Sequence, residues 1–317
     1  MKTTNDRTPS RRNTAMTACI FCIALVLAAG VPGPEKQATQ SPYLGQKPPG
    51  TTPQVFAPGI VSTDAHEFSC SFTPDGKEFY FTRSESMQSP TLIMFSKYID
   101  GIWTPPSPAP FNDTSGARSG GMSFEPVVTP DGRRLYFSSD RPFPGQSGPG
   151  GPPMLNIWYV EREGDRWSEP KFPGPPFNPM KTMFISMTKT GTIYTADISG
   201  GMGKDRIAVT RLKDGVYQPL EILGAPVNLG PINQYPHVAP DESYLIFSRR
   251  DAPGGAGALF ISFRAPDGSW GEPRRIDLGP LSAGQGMISP DGKYLFFTAG
   301  ERRKGDIYWV EAAFLKK

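Results

Sequence analysis

Cysteine is close to absent. The 317-residue chain has three, and Cys19 and Cys22 both fall inside an N-terminal apolar stretch. Cys70, left alone, has no internal disulfide partner, so the fold must rest on packing. It shares an alternation with Phe68 and Phe72, which marks it as a small buried hydrophobe. Histidine is scarcer still. His66 and His237 are the only two, and a three-histidine metal set is thereby excluded. Long hydrophobic runs are missing as well. The best, from Met16 to Ala29, is shorter than the roughly 20 residues a membrane helix needs. Lys2, Arg7, Arg11 and Arg12 precede it and Ala28-Ala29-Gly30 follows, so residues 1–30 read as a secretory signal peptide. A nucleophile elbow Gly-x-Ser-x-Gly and a phosphate-binding loop are both absent.

Charge of one sign is not in excess. The chain has 33 Lys+Arg and 30 Asp+Glu, a net +3. The four basic residues of the signal, set against Asp6, carry that whole difference. The remainder is neutral. Its short basic runs, such as Arg249-Arg250 and Arg274-Arg275, each have an acid beside them, at Asp251 and Glu272. A nucleic-acid partner, which needs a clustered basic face, is not expected.

What is abundant is a repeat. Thr73-Pro74-Asp75-Gly76-Lys77 returns as Thr129-Pro130-Asp131-Gly132-Arg133 and Ser289-Pro290-Asp291-Gly292-Lys293. Worn copies stand at Ala239-Pro240-Asp241-Glu242-Ser243 and Thr188-Lys189-Thr190-Gly191-Thr192. The second turn residues sit at 74, 130, 189, 240 and 290, so successive units are 50 to 59 residues apart. Such a period points to propeller blades. Pro presets φ and Gly tolerates a left-handed backbone, so each Pro-Asp-Gly closes a tight hairpin. An aromatic second strand follows each turn, as in Glu78-Phe79-Tyr80-Phe81. Third strands are read at Leu92 to Tyr98, Leu155 to Glu161, Arg206 to Leu212, Ala258 to Phe263 and Asp306 to Val310. Pro-rich fourth strands are read at Trp103-Thr104-Pro105, Trp167 to Pro170, Tyr217-Gln218-Pro219 and Trp270 to Pro273; proline suits a sheet edge.

The fifth unit has no fourth strand of its own. Thr52 to Gly59 resembles the fourth strands and is free to supply it. The expectation is an all-β, five-bladed β-propeller over residues 52–317, closed by an N-terminal strand completing the last blade. Six blades are the alternative, for which the period leaves too few residues. Residues 31–51, rich in Pro and Gly, are read as a flexible spacer, and the Gly/Pro stretch from Pro142 to Pro153 as a surface loop.

These repeats resemble the WD-like propeller repeats of TolB and of the periplasmic halves of some OmpA-type proteins. The matching pieces are Pro130-Asp131-Gly132-Arg133-Arg134-Leu135-Tyr136-Phe137-Ser138-Ser139-Asp140-Arg141-Pro142, the third strand Asp306-Ile307-Tyr308-Trp309, and the Trp-x-Glu-Pro openings of the fourth strands. The resemblance spans residues 52 to 313. The repeat family covers binding scaffolds and some enzymes; taken with the missing catalytic constellation and the neutral surface, the resemblance leads to the expectation of a periplasmic or extracellular binding module, with no cofactor and no chemistry of its own. Sialidase-like propellers carry Ser-x-Asp-x-Gly-x-x-Trp turns. Ala265-Pro266-Asp267-Gly268-Ser269-Trp270 lacks the leading Ser and the spacing.

Inner strands of a propeller line its channel. Counting back seven, five and three from each turn position gives one alternating face. It holds Glu67, Ser69, Ser71; Ser123, Glu125, Val127; Thr182, Phe184, Ser186; Asn233, Tyr235, His237; and Ala283, Gln285, Met287. The other alternation, including Phe68, Phe124 and Met183, reads as core. The candidate ligand set at the channel mouth is Glu67, Glu125, Asn233, Tyr235, His237 and Gln285; no catalytic or metal-binding residue is assigned. Expected partners are a protein or a small polar ligand such as a glycan or peptide, bound by a monomer with no membrane span once the signal is removed. The rival reading is a glycoside hydrolase or lyase using Glu67 and Glu125 as acid and base. Arg83, Asp140, Arg141, Asp197, Arg249, Arg250 and Glu301, which follow the second strands, are expected to pin loops.

Overall fold

The computed structural model describes residues 43–113, 121–142, 155–177, 182–201, 203–301 and 304–315. The signal segment and all but the first residue of the 142–153 loop lie outside them.

Five antiparallel sheets follow one another along the chain. Blade 1 runs, from inner to outer strand, His66–Phe72, Glu78–Ser84, Thr91–Ile99 and Ser107–Pro108. Blade 2 has Ser123–Val128, Arg134–Ser139 and Asn156–Glu163. Blade 3 has Thr182–Met187, Ile193–Asp197, Arg206–Thr210 and Glu221–Ile222. Blade 4 has Ile232–Val238, Tyr244–Arg250, Ala258–Phe263 and Arg274–Arg275. Blade 5 has Ala283–Ile288, Tyr294–Glu301 and Lys304–Glu311, and its outer strand is Gln54–Val55 from the other end of the domain. Gln54 stands opposite Trp309 and Val55 opposite Tyr308. Each inner strand packs on the inner strands before and after it, and the last on the first, so the ring is closed. Closure removes the long free edges that an open stack of sheets would expose.

The repeated turn is held by one hydrogen-bond set. Gly76 N donates to Thr73 O (2.8 Å) at φ 69°, and Lys77 N donates to the Asp75 carboxylate (3.0 Å). Thr73 Oγ1 donates to the same carboxylate (2.6 Å) and accepts from Glu78 N (2.9 Å). Thr129/Asp131 and Ser289/Asp291 repeat it. In blade 4, Glu242 takes the glycine's place at φ 64°, a left-handed position that is uncommon for residues with a Cβ.

Packing at the closure explains its stability. Phe56, fully buried, meets Phe79, Phe296 and Trp309 with ring centroids 4.9–5.3 Å apart, largely edge to face. Such aromatic pairs add to the burial of the rings themselves. The anchoring starts earlier than the spacer reading allowed. Tyr43 and Leu44 pack into the same cluster, Gln46 bonds both Val55 O and Ala57 N, and Gly50 O accepts from Glu311 N. From Tyr43 onward the supposed spacer is part of the propeller.

The fourth strands also begin later than expected. The Trp-x-x-Pro pieces extend the third strand as short hairpins, for example Tyr98 opposite Trp103 and Glu163 opposite Arg166. Pairing to the blade resumes beyond the proline, at Ser107–Pro108, Lys171, Glu221–Ile222 and Arg274–Arg275. Proline has no N–H to give the ladder, so register is recovered only past it.

The largest departure from simple alternation lies in the inner strands. Ser69, Glu125, Phe184, Tyr235 and Gln285, the same position in each blade, all have φ between 47° and 63°. The ladder to the second strand slips at each of them. This is a β-bulge repeated five times, and one extra residue reverses the faces on either side of it. The residues two before it are accordingly buried: Glu67, Ser123, Thr182, Asn233 and Ala283 are each 0–3% exposed. Phe68 and Met183, expected in the core, are turned out to half-buried positions by the same slip.

Candidate functional site: the central cavity

The ring encloses a cavity of about 330 Å³, lined from the bulge to the turn of every inner strand. Its mouth is formed by Pro74, Pro130, Lys189, Pro240 and Pro290. The cavity therefore opens on the side of the Pro-Asp-Gly turns. At its inner level stand the five bulge residues.

The bulge is what aims them. Phe184 and Tyr235 meet across two neighbouring blades with ring centroids 4.0 Å apart. Gln285 Nε2 donates to Glu125 Oε1 (3.3 Å), and Gln285 Oε1 accepts from Thr298 Oγ1 (2.8 Å). Ser138 Oγ donates to Glu125 Oε2 (3.4 Å). Glu125 is only 7% exposed, and no cation pairs with it among the described residues. Burial, opposed by the Gln285 and Ser138 hydrogen bonds, pushes its carboxyl up to about 8. At neutral pH Glu125 is mostly an uncharged acid. Burial pushes the Tyr235 phenol well above its usual range, so it too stays neutral.

One level nearer the mouth, the side chains join blade to blade. Val128 N donates to Ser71 Oγ (3.0 Å), Val238 N to Ser186 Oγ (2.9 Å) and Ile288 N to His237 Nε2 (3.1 Å). His237 thus replaces a serine in a structural series. Its Nε2 accepts, so the ring is neutral with its proton on Nδ1. Burial lowers it to about 4.

Four of the six candidate residues, Glu125, Tyr235, His237 and Gln285, line the cavity. Glu67 and Asn233 do not, because the bulge turns them away from it. Glu67 accepts from Arg83 Nε (2.8 Å), Thr63 Oγ1 (2.7 Å) and Thr63 N (3.2 Å). Arg83 Nη2 in turn holds Ile60 O and Val61 O. Asn233 repeats the arrangement with Arg249, which holds Val227 O at 2.9 Å. Arg83 and Arg249 pin loops, as expected of residues that follow the second strands. Arg141 does the same to Phe111 O (2.8 Å). The pairing of Glu67 with Glu125 as acid and base is thereby lost. Phe184, on the right face but absent from the candidate set, completes the floor. Pro126 and Pro236 were the available signal: a proline inside an inner strand marks an interrupted ladder.

The strand topology and this axial cavity define the class: a five-bladed β-propeller with a central pocket. No protein-family model matches the chain, and no curated protein is found similar to it. Among solved structures it is similar to the putative TolB from Agrobacterium tumefaciens (16% identity, 75% of this chain and 72% of that one, TM-score 0.48). It is also similar to a gluconolactonase from Xanthomonas campestris (12% identity, 83% and 94%, TM-score 0.46). A third is the Trypanosoma rangeli sialidase (12% identity, 83% and 58%, TM-score 0.44). Likeness of this degree carries no activity from any of them, since propellers host many unrelated functions.

Proposed function

We propose that the chain is an exported, monomeric binding module of TolB-like type, without catalysis, that takes a small polar ligand in its central cavity. The supporting observation is how the cavity's polar groups are engaged. Among the described residues Glu125 is the one carboxyl that lines it, and the second acid of the hydrolase reading is committed to Arg83 and Thr63. His237 is occupied by the Ile288 amide, burial keeps the Tyr235 phenol and the Cys70 thiol neutral, and Lys189 stands at the rim. A site with one neutral acid, an aromatic pair and fixed hydroxyls suits recognition. Export rests on the leader-like residues 1–30. Among the described residues no helix is long and apolar enough to cross a membrane.

The test is a thermal-shift screen of the full chain with neutral glycans, short peptides, amines and divalent ions, run beside Val127→Trp. Val127 lines the cavity wall without a side-chain hydrogen bond, and a tryptophan there fills the space. Ligands that raise the midpoint of the wild type and not of a folded Val127→Trp support the module. No response, or equal responses from both proteins, overturns it.

A further inference from the structure

Several acids elsewhere in the domain have cationic partners: Glu67 has Arg83, Glu78 has Arg162 and Lys97, and Asp197 has Arg206. Asp205, buried like Glu125, is held instead by the neutral Gln234 amide. Among the described residues, Glu125 is the acid that lines the cavity. It is nearly as buried, it faces an open cavity, and its partners are a neutral amide and a hydroxyl at 3.3 and 3.4 Å. Both bonds are long for contacts to a carboxylate. The ring that carries it also carries Phe184 and Tyr235, two π faces at the same depth. Toward the mouth Val127, Met287 and the prolines supply apolar wall between Ser71 and Ser186, whose hydroxyls are engaged by Val128 N and Val238 N; Lys189 stands at the exposed rim and the neutral His237 is bonded to Ile288. Arg250 acts electrostatically on Tyr235 but does not line the cavity.

Resting on the binding-module reading, we propose that the ligand is a primary organic cation with an apolar flank, its ammonium seated between the Glu125 carboxylate and the Phe184–Tyr235 pair. A carboxylate supplies the charge and the aromatic faces supply cation–π attraction, stronger where water is excluded. Among the described residues that line the cavity, an anion would meet a cationic side chain only at Lys189, on the rim. A neutral ligand would leave the acid's long hydrogen bonds as they are.

The proposal fixes a proton balance. Neutral Glu125 plus an ammonium gives an ion pair plus one proton released to solvent. With Glu125 titrating near 8 in the free protein, release at pH 7 is roughly 0.9 proton per ligand, and affinity rises roughly 50-fold between pH 6 and pH 8. His237 is already neutral throughout this range.

Calorimetric titration of the full chain with cyclohexylammonium, cyclohexanol and cyclohexanecarboxylate, three probes of one shape, tests this. Titrations at pH 7 in phosphate and in Tris read the proton count. We expect cyclohexylammonium to bind at least tenfold more tightly than the other two, with proton release near one. Glu125→Gln, an isosteric change, is expected to reduce the cation to the affinity of cyclohexanol. Equal or tighter binding of cyclohexanol or cyclohexanecarboxylate, proton uptake, or a cation preference that survives Glu125→Gln would each refute the assignment. If none of the three binds while other ligands show Val127-dependent shifts, the cation is wrong and the module stands. If nothing gives a Val127-dependent response, both fail.

Discussion

Glu125 ought to make the unliganded protein lose stability as pH rises through neutrality, and the size of the loss follows from its surroundings. Its carboxyl moves from about 4.5 when exposed to about 8 when folded. A group raised on folding contributes stability that is complete below the lower value and gone above the upper one. His237 works the other way. Lowered to about 4 from 6.5, it contributes stability present above 6.5 and lost on acidification. Between pH 4.5 and 6.5 the two slopes oppose each other. From pH 6.5 to 8.5 Glu125 acts nearly alone, and the loss it imposes is about 2 kcal/mol. The last of the His237 titration offsets a few tenths of this, on the order of 0.4 kcal/mol. Cys70, raised by burial, adds to the loss only at higher pH. The paired carboxylates Glu78, Asp131, Asp197 and Asp291 are held low and do not titrate in this window. Urea unfolding at fixed ionic strength, followed by tryptophan fluorescence at half-unit pH steps, measures the slope. The corresponding fall in melting temperature is roughly 4 °C. Glu125→Gln preserves the shape and contacts of the side chain and is expected to be flat across the window. A wild-type profile that is flat, or a variant profile that falls as steeply as the wild type, refutes the claim that this acid is held neutral by burial.

Two further outcomes concern the frame around the cavity. Phe56→Ala removes the fully buried ring that joins the N-terminal strand to Phe79, Phe296 and Trp309. It should cost about 3–5 kcal/mol in chemical unfolding, and a loss under 1 kcal/mol would show that the ring closes by other means. Glu67→Ala strands the Arg83 guanidinium and should cost about 3–5 kcal/mol while leaving ligand affinity in the surviving folded protein unchanged. A Glu67→Ala protein of normal stability that no longer binds would return Glu67 to the ligand site.

Some assignments were available in the primary structure for a direct reason. A Pro-Asp-Gly turn constrains its own backbone, so three full copies and two worn ones announced five hairpins before any contact was known. The closing strand was legible because Thr52 to Gly59 looks like the outer strands that the fifth unit lacks. The channel face was legible only in part. Glu125, Tyr235, His237 and Gln285 were found because they lie from the bulge onward, where alternation counted back from the turn still holds. Glu67 and Asn233 were misassigned because the count was carried across the bulge, and a single extra residue reverses every face beyond it.

The chain's own order of residues determined that there would be five four-stranded units, their turns, their aromatic second strands and the means of shutting the ring. All of these depend on local backbone preference and on periodicity. Tertiary structure alone decided which acids meet a cation and which do not. Glu67 and Glu125 look alike in the sequence, but one meets a guanidinium brought by the neighbouring strand while the other is left facing the axis with Phe184 and Tyr235. That difference is set by five left-handed residues acting together around a closed circle, and apart from Pro126 and Pro236, which mark two of the five, a left-handed backbone at Ser, Glu, Phe, Tyr and Gln has no signature in the residues themselves.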